Sequence, residues 1–195
     1  MALDFDDFFR KILFARQLKV SDGYLSIYNE PYVMFPADSF SILMDSTLEL
    51  SGKKGKIKIY KEGIKTGESI ASKLEKSTNT SGDKLLDVIF HIGGLGGWGQ
   101  WQIYKKDVAK KEIVVHGYNM ATARSSFMRK KKSEPTCHLL RGIIAGELRV
   151  SWGSKDIEVI ETQCMSQGYR YCEFIARLKN NLDRKNKFVK NQLEL

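Results

Sequence analysis

The chain has 195 residues, of which 42% are hydrophobic, and this suits one globular domain with a sizeable core. No stretch of about 18 consecutive apolar residues occurs, so no membrane span is predicted. The three cysteines are an odd number and lack the spacing of a disulfide framework. The acidic start of the chain is unlike a signal peptide, so we expect a cytoplasmic protein with reduced thiols available to a metal.

Positive charge is concentrated after residue 50. The formal net charge is +9, and basic residues cluster at Lys53–Lys61, Lys105–Lys111, Arg129–Lys132 and Arg184–Lys190. Such a field attracts nucleic acid or acidic partners non-specifically, whereas the alternative is a lysine-rich surface that only solvates the protein. No helix-turn-helix signature or base-stacking motif accompanies the charge, so nucleic-acid binding stays an interpretation without a motif.

The N-terminal region predicts one helix and several short strands. Apolar side chains recur at helical spacing in residues 4–17, so segment 1–17 is predicted to be an N-terminal amphipathic helix. Residues 18–35 alternate in polarity and contain turn signals, which predict strands joined as a hairpin or meander.

Three helices are predicted next. Asp38-Ser39 offers an N-cap for a helix from Phe40 to Leu50 that ends near Gly52. A second helical pattern spans Lys56–Lys76, in which the spacing of two glycines, Gly63 and Gly67, permits close helix contact or a kink. A third helix over 85–92 stops at the glycines of 93–97.

That glycine run formally contains the G-x-G-x-x-G pattern of dinucleotide sites. The pattern requires a strand before it and a helix after it, whereas here a helix precedes and a strand-like segment follows. The glycines are therefore expected to end a helix and turn the chain, and not to bind a nucleotide.

The remaining segments predict an antiparallel sheet packed against helices, hence an α+β fold. Strands are expected at Gln100–Asp107, Lys111–Tyr118, Asp156–Glu161 and Tyr169–Arg177. Helices are expected at 120–128 and at 137–148, and the basic segment 179–195 is expected to be a polar tail that is helical or frayed. No internal repeat or long linker divides the chain.

Four residues have the chemistry of a metal site. Glu161 and Cys164 lie three apart where a strand ends, Cys172 begins the returning strand, and Cys137 stands at the first turn of a helix. Thiolates and a carboxylate are zinc ligands, and four of them would close a structural site. The alternative is that the cysteines are buried small hydrophobic residues. Iron is open beside zinc, and His138 is a substitute ligand.

The pattern around the cysteines resembles a known family. A cysteine precedes a glycine-bearing helix at 137–147, and Glu161-x-x-Cys164 is followed by Gly168-x-x-x-Cys172-x-Phe174. These motifs resemble the C-terminal half of the 4-vinyl reductase domain family. A weaker resemblance extends over roughly residues 20–178, so the chain is expected to carry a 4-vinyl-reductase-like domain at 18–178.

The resemblance implies a fold related to the TRAPP vesicle-transport subunits and a role as a ligand-sensor domain. Family members sense aromatic compounds in transcription activators or occur in bacteriochlorophyll synthesis proteins. By resemblance, Cys137, Glu161, Cys164 and Cys172 match the zinc ligands of aromatic-sensing members. Those sensors continue into an ATPase and a DNA-binding domain that this sequence lacks, so a signal is expected to pass through a protein partner.

Two functional interpretations follow, and neither is enzymatic because no catalytic group of residues stands in a supporting context. The first is a zinc-stapled module that binds a small hydrophobic or aromatic molecule between helices and sheet. Its expected pocket walls are Phe90, Trp98, Trp101, Tyr118 and Phe127, with Trp152, His91 and His116 as weaker wall or core candidates. The second is a homodimeric scaffold or adaptor whose aromatic residues simply fill the core.

Overall fold

The structure is a computed structural model that describes residues 18–27 and 30–194. The predicted helix at 1–17 lies outside the described residues. The chain divides into two compact units, Met1–Pro36 and Ala37–Leu195, and each is described by itself.

The first unit contains a three-stranded antiparallel sheet, as the alternating pattern predicts. Its strands are β1 (Leu18–Ser21), β2 (Tyr24–Ile27) and β3 (Glu30–Tyr32). Asp22 and Gly23 connect β1 to β2 with φ values of 51° and 78°. Two consecutive residues with positive φ are typical of the tight hairpin turn whose twist matches that of the strands.

The second unit combines five helices with a four-stranded sheet within the described residues. The helices are α1 (Ala37–Thr78), α2 (Gly82–Leu95), α3 (Ala121–Arg129), α4 (His138–Ser151) and α5 (Lys187–Gln192). The strands are β4 (Gln100–Asp107), β5 (Glu112–Tyr118), β6 (Ile157–Gln163) and β7 (Cys172–Leu178). They are antiparallel in the order β4-β5-β7-β6, so the predicted α+β class is confirmed.

Helix α1 contains the two helices that the sequence predicts before residue 76. They join at Gly52, whose φ of 55° and ψ of −142° are non-helical. Glycine adopts this conformation without the steric cost that a side chain would add. The predicted end of the first helix near Gly52 is therefore a break inside one long element.

One face of the sheet and the helices α1 and α4 form the core. Alternation along β5, β6 and β7 places buried aliphatic and aromatic side chains on this face, among them Ile113, Val115, Ile157, Val159 and Phe174. Leu140, Ile144 and Leu148 of α4 belong to the same cluster. Burial of this apolar surface is the main term that stabilises the unit.

Helices α1 and α4 cross with their backbones in contact, as the glycine spacing predicts. A Cβ atom added at Gly67 would lie 2.1 Å from the carbonyl oxygen of Ile143, and one added at Gly146 would lie 2.1 Å from that of Ile64. Gly63 and Gly142 are equally close, because a Cβ on either would meet the other's Cα at 2.9 Å. No side chain other than hydrogen fits at this crossing.

Strand β6 is an edge of the sheet, and side chains satisfy its outer backbone groups. The Val159 N–H donates to the Tyr60 hydroxyl at 3.0 Å, and Arg141 Nη1 donates to the Val159 carbonyl at 2.8 Å. Gln192 accepts from the Glu161 N–H at 2.9 Å and donates to its carbonyl at 2.7 Å. These contacts replace the neighbouring strand that β6 lacks.

The segment after residue 178 is more ordered than the sequence suggests. Leu182, Val189 and Leu193 are buried in the core cluster, and α5 forms a short helix whose Gln192 is also buried. The polar composition of the segment hides these three apolar anchors. The expected tail therefore packs on the helices and the sheet instead of fraying.

Glu147 of α4 is a buried carboxyl in this core. The residue is 7% exposed, and burial raises the pKa of its carboxyl from 4.5 to about 8. Burial has this effect because a low-dielectric environment disfavours the charged form. At neutral pH the group is therefore mainly protonated in the folded protein.

The helix crossing predicts a large cost for Gly146→Ala. The new methyl group would force the α1 and α4 backbones apart, so the free energy of unfolding should fall by about 3 kcal/mol despite the better helix propensity of alanine. Gly96→Ala is the matched control, because its methyl group would have no atom closer than 3.3 Å. Denaturant unfolding of both variants measures the difference, and equal stabilities would contradict the contact.

Glu147 predicts a specific pH dependence of stability. Between pH 4.5 and about 8 the folded chain holds a proton on Glu147 that the unfolded chain has lost. Its contribution to stability is thus complete below pH 4.5 and declines as the pH rises through about 8. In Glu147→Gln the fall in stability from pH 5 to 8 should be shallower by about 1 kcal/mol per pH unit. Parallel curves for the two proteins would show that the carboxyl is ionised in the folded state.

Candidate metal centre

The four predicted ligands come from three elements that meet at one end of the sheet. Cys137 immediately precedes α4, Glu161 lies on β6, Cys164 follows that strand, and Cys172 begins β7. A short 3₁₀ turn at Met165–Gln167 and a left-handed Gly168, with φ of 91°, reverse the chain between the last two cysteines. The reversal returns Cys172 to the end of the sheet that Cys164 occupies.

An irregularity in β6 explains how Glu161 and Cys164 reach the same site. Residues three apart on a regular strand point to opposite faces. The pairing of β6 with β7 shifts register between Glu161 and Gln163, as in a β-bulge. One extra residue restores the same direction for both side chains, and bulges commonly re-aim side chains in this way.

The ligand atoms form a compact, buried group. The sulfur atoms of Cys137, Cys164 and Cys172 are separated by 3.7, 3.9 and 3.7 Å, and all four ligand atoms lie within 4.8 Å of one another. Three thiolates bound tetrahedrally at about 2.3 Å from zinc would be about 3.8 Å apart. The sulfur triangle therefore has the dimensions of one face of a zinc–thiolate tetrahedron.

Glu161 has one carboxylate oxygen in use and one without a hydrogen-bond partner. Oε2 accepts from the Cys137 N–H at 3.0 Å, whereas the buried Oε1 has no hydrogen-bond partner. An unpaired buried polar atom costs about 1–3 kcal/mol. A cation between Oε1 and the sulfur atoms would remove that cost, so the residues present fit a metal.

Electrostatics at the cluster point the same way. Burial, followed by the charge of Cys164, raises the pKa of the Glu161 carboxyl. Hydrogen bonds with Cys164 and Cys172, followed by burial, raise the pKa of the Cys137 thiol. These groups would hold protons on their own, whereas a divalent cation stabilises their ionised forms and releases the protons.

Several supporting groups around the cluster have no signal in the sequence. Ser166 Oγ donates to Cys164 Sγ at 3.0 Å, and the Met165 N–H donates to Cys172 Sγ at 3.3 Å. Gln192 holds both backbone groups of Glu161. Such donors orient ligands and stabilise thiolate charge, as outer groups do around metal sites. Only Ser166, two residues after Cys164, could have been suspected from its position.

His138, the substitute ligand, is not part of the cluster of four. It is 2% exposed, its Nδ1 has no hydrogen-bond partner, and burial, followed by the charge of Arg141, lowers its pKa to about 3. The imidazole is therefore neutral. His116 is also buried and stacks between Tyr104 and Tyr171 at ring distances of 4.7 and 4.2 Å.

The comparisons with known proteins agree with this geometry. Residues 122–178, which contain all four cluster residues, match the family profile of the 4-vinyl reductase domain. This segment is a 4-vinyl reductase domain. The resemblance that the sequence motifs suggest is thereby confirmed. None of the curated protein sequences compared with the chain matches it.

Solved structures share the fold of the 4-vinyl reductase domain and its surroundings. The phenol-responsive sensory domain of the transcription activator PoxR, solved with phenol, has a TM-score of 0.79 at 12% identity and covers 100% of both chains. A vinyl-4-reductase family protein from Methanocaldococcus jannaschii has a TM-score of 0.53 at 19% identity, with 94% of this chain and 99% of the other covered.

The TRAPP-like fold is also represented among solved structures. Trafficking protein particle complex subunit 3 from Naegleria fowleri, covalently bound to palmitic acid, has a TM-score of 0.52 at 13% identity. The match covers 76% of this chain and 98% of that protein. At such identities the likeness establishes the fold, and the predicted relation to TRAPP subunits holds at that level.

The predicted pocket aromatics do not all meet. Phe90 and Trp101 stack with ring centroids 6.0 Å apart, and Trp101 also contacts Phe174 at 5.8 Å. Trp98 packs on Phe40, Tyr118 contacts Tyr171, and Phe127 is 38% exposed near Gly168. Trp152 donates from Nε1 to Asp83 at 3.2 Å. The second unit thus brings together Phe90 and Trp101 and spreads the others over different contacts.

Two cavities of the second unit are lined by other residues. One of about 30 Å³ lies between α1 and the start of α4, beside Cys137, and its apolar lining includes Phe40, Met44, Leu48 and Leu140. The other, of about 180 Å³, lies beside α5 and is mostly polar in its lining. Among the described residues, no helix is long and apolar enough to cross a membrane.

The cluster predicts that the cysteines act as one unit. We expect Cys164→Ser to lose bound metal and to lower the free energy of unfolding by more than about 3 kcal/mol, because a structural metal contributes directly to folding. The double variant Cys164→Ser/Cys172→Ser should be hardly less stable than the single one, since the metal is already absent. Elemental analysis and denaturant unfolding measure both quantities. Additive losses with unchanged metal content would identify the thiols as packing residues.

Proposed function

We propose that this chain is a zinc-stapled module that binds a small hydrophobic or aromatic molecule and signals through a protein partner. The observation that carries the proposal is the buried group of three sulfur atoms, with 3.7–3.9 Å spacings, and the unpartnered Glu161 Oε1 inside a 4-vinyl reductase domain. The module is not an enzyme in this proposal, because four protein ligands would leave no open position on the metal for a substrate.

Zinc is the proposed ion and its role is structural. Cys137, Glu161, Cys164 and Cys172 would hold it, and the ion would supply a cross-link between the start of α4 and the strands β6 and β7. Tetrahedral thiolate sites also accept iron, so iron is the alternative outcome of metal analysis. About one zinc per chain in freshly purified protein would support the assignment.

The shared fold supports the sensor part of the proposal. A phenol-responsive sensory domain has the same fold over its whole length, although the low identity transfers no binding residues. In this chain the stacked pair Phe90 and Trp101 adjoins Phe174, which lies two residues after Cys172 on β7. A ring inserted at this pair would therefore press on a strand that the metal centre anchors.

Signalling and assembly are proposals of the same kind. We propose a cytoplasmic homodimer that passes ligand occupancy to a partner, with transcriptional regulation as the expected setting. The metal centre would keep one wall of the pocket rigid, so that a ligand shifts helices on the other wall instead. Sedimentation of the metal-loaded chain with and without ligand measures the oligomeric state.

The ligand site is tested with phenol and other single-ring aromatic compounds on metal-loaded protein. We expect a bound compound to raise the thermal midpoint and to change tryptophan fluorescence, and we expect Trp101→Leu to weaken binding by about tenfold or more. Trp152→Phe is the control, because that indole bonds Asp83 and does not contact the Phe90 pair. The sensor proposal fails if no compound binds and native mass spectrometry finds no co-purified small molecule.

A scaffold or adaptor is the second candidate, and the packing of the aromatic residues favours it. Phe90, Trp101 and Phe174 already contact one another, and the cavity beside Cys137 measures only about 30 Å³. Such a protein would be a dimer without ligand and would resist every aromatic compound. A nucleic-acid role would instead give retention on heparin that falls steeply with salt.

A further inference from the structure

The larger cavity of the second unit is a candidate binding site that neither the metal centre nor the aromatic pair uses. Its volume is about 180 Å³, below that of sites for drug-sized ligands. Lys56 of α1, the loop 133–135, His138 of α4, Thr162 of β6 and the segment 187–192 contribute to its walls. Five separate parts of the chain thus converge on one small space.

Two buried polar atoms at this cavity lack hydrogen-bond partners. His138 is 98% buried, since its exposed fraction is 2%, and its Nδ1 is unpartnered. Gln167 donates from Nε2 to the Ser133 carbonyl at 3.1 Å, whereas its Oε1 is unpartnered. Buried groups of this kind are usually satisfied by protein, by water or by a ligand. A polar guest in the cavity would meet both requirements.

The charge around the cavity is positive. Lys56 belongs to the basic cluster Lys53–Lys61 and Lys187 to the cluster Arg184–Lys190, so two distant clusters of the sequence meet here. Glu134 is the acidic residue of the lining, and it is paired with Lys56. One positive charge, that of Lys187, is therefore left over in the lining, which favours an anionic guest.

The remaining walls are flat and apolar. Pro135, Tyr169 and Phe188 line the cavity, and the Lys187 ammonium lies 5.0 Å from the centre of the Phe188 ring. A guest that fits both kinds of wall has a charged group for Lys187 and a planar body for the rings. Inorganic anions satisfy the first condition only, and neutral aromatic compounds satisfy the second only.

We propose that this cavity binds a small organic anion with a planar apolar body, of the class of single-ring aromatic carboxylates. The carboxylate lies near Lys187, and the polar part of the guest supplies partners for His138 and Gln167. The site is independent of the proposed sensor pocket at Phe90 and Trp101. Because α5 and the loop 133–135 both contribute walls, a bound anion joins these segments across the cavity.

The test uses the metal-loaded full chain and benzoate as the probe. Isothermal titration should show benzoate binding, and benzyl alcohol and inorganic phosphate should each bind at least about tenfold more weakly. Lys187→Met should weaken benzoate binding by about tenfold or more. Lys190→Met is the matched control, because Lys190 lies on the same helix but does not line the cavity, and it should leave the affinity unchanged.

Each contrary outcome overturns the proposal and is distinguishable from a failure of the sensor proposal. Absence of benzoate binding, equal binding of phosphate, or equal losses in the two lysine variants would each exclude a specific site for organic anions. Loss of benzoate binding in Trp101→Leu with full binding in Lys187→Met would place the ligand at the aromatic pair. That result would support the sensor proposal while excluding this one.

Discussion

The backbone contact between α1 and α4 is the constraint on which the second unit depends. Four glycines allow this approach, and Gly142 packs so closely that its missing Cβ would lie 2.2 Å from the Tyr60 carbonyl oxygen. At this distance the Arg141 guanidinium lies 3.9 Å from the centre of the Tyr60 ring, and both side chains reach the outer edge of β6. Wider helix spacing would separate Tyr60 from β6 and leave buried backbone groups of that strand without partners.

The metal centre and the helix crossing are two ends of one arrangement. Cys137 begins the helix whose glycines face α1, and Glu161 belongs to the strand whose edge Tyr60, Arg141 and Gln192 satisfy. The polar contacts of β6 and the four-residue cluster thus fix the same strand from two sides. Hydrophobic packing alone does not select such a register, whereas directional hydrogen bonds and ligand geometry do.

Local patterns predicted the elements and the cysteine cluster, because helical periodicity, strand alternation and ligand spacing are short-range signals. The contacts of Gln192 with Glu161 join residues that are 31 apart, and no periodicity announces them. The burial of Leu182, Val189 and Leu193 was missed because isolated apolar residues in a basic segment resemble a solvated tail. Whether Phe90 and Trp101 leave room for a guest depends on side-chain packing, which composition does not encode.

The side-chain edge of β6 also determines how this sheet can meet other chains. Two strands, β4 and β6, flank the sheet, and the backbone groups at Val159 and Glu161 on the β6 edge are already used by Tyr60, Arg141 and Gln192. On β4, a register shift after Ile103 and the charged side chains of Lys105 and Lys106 disfavour intermolecular strand pairing. Proteolytic removal of the segment around Gln192 would expose an adhesive strand edge, so this basic segment of the chain also protects it from aggregation.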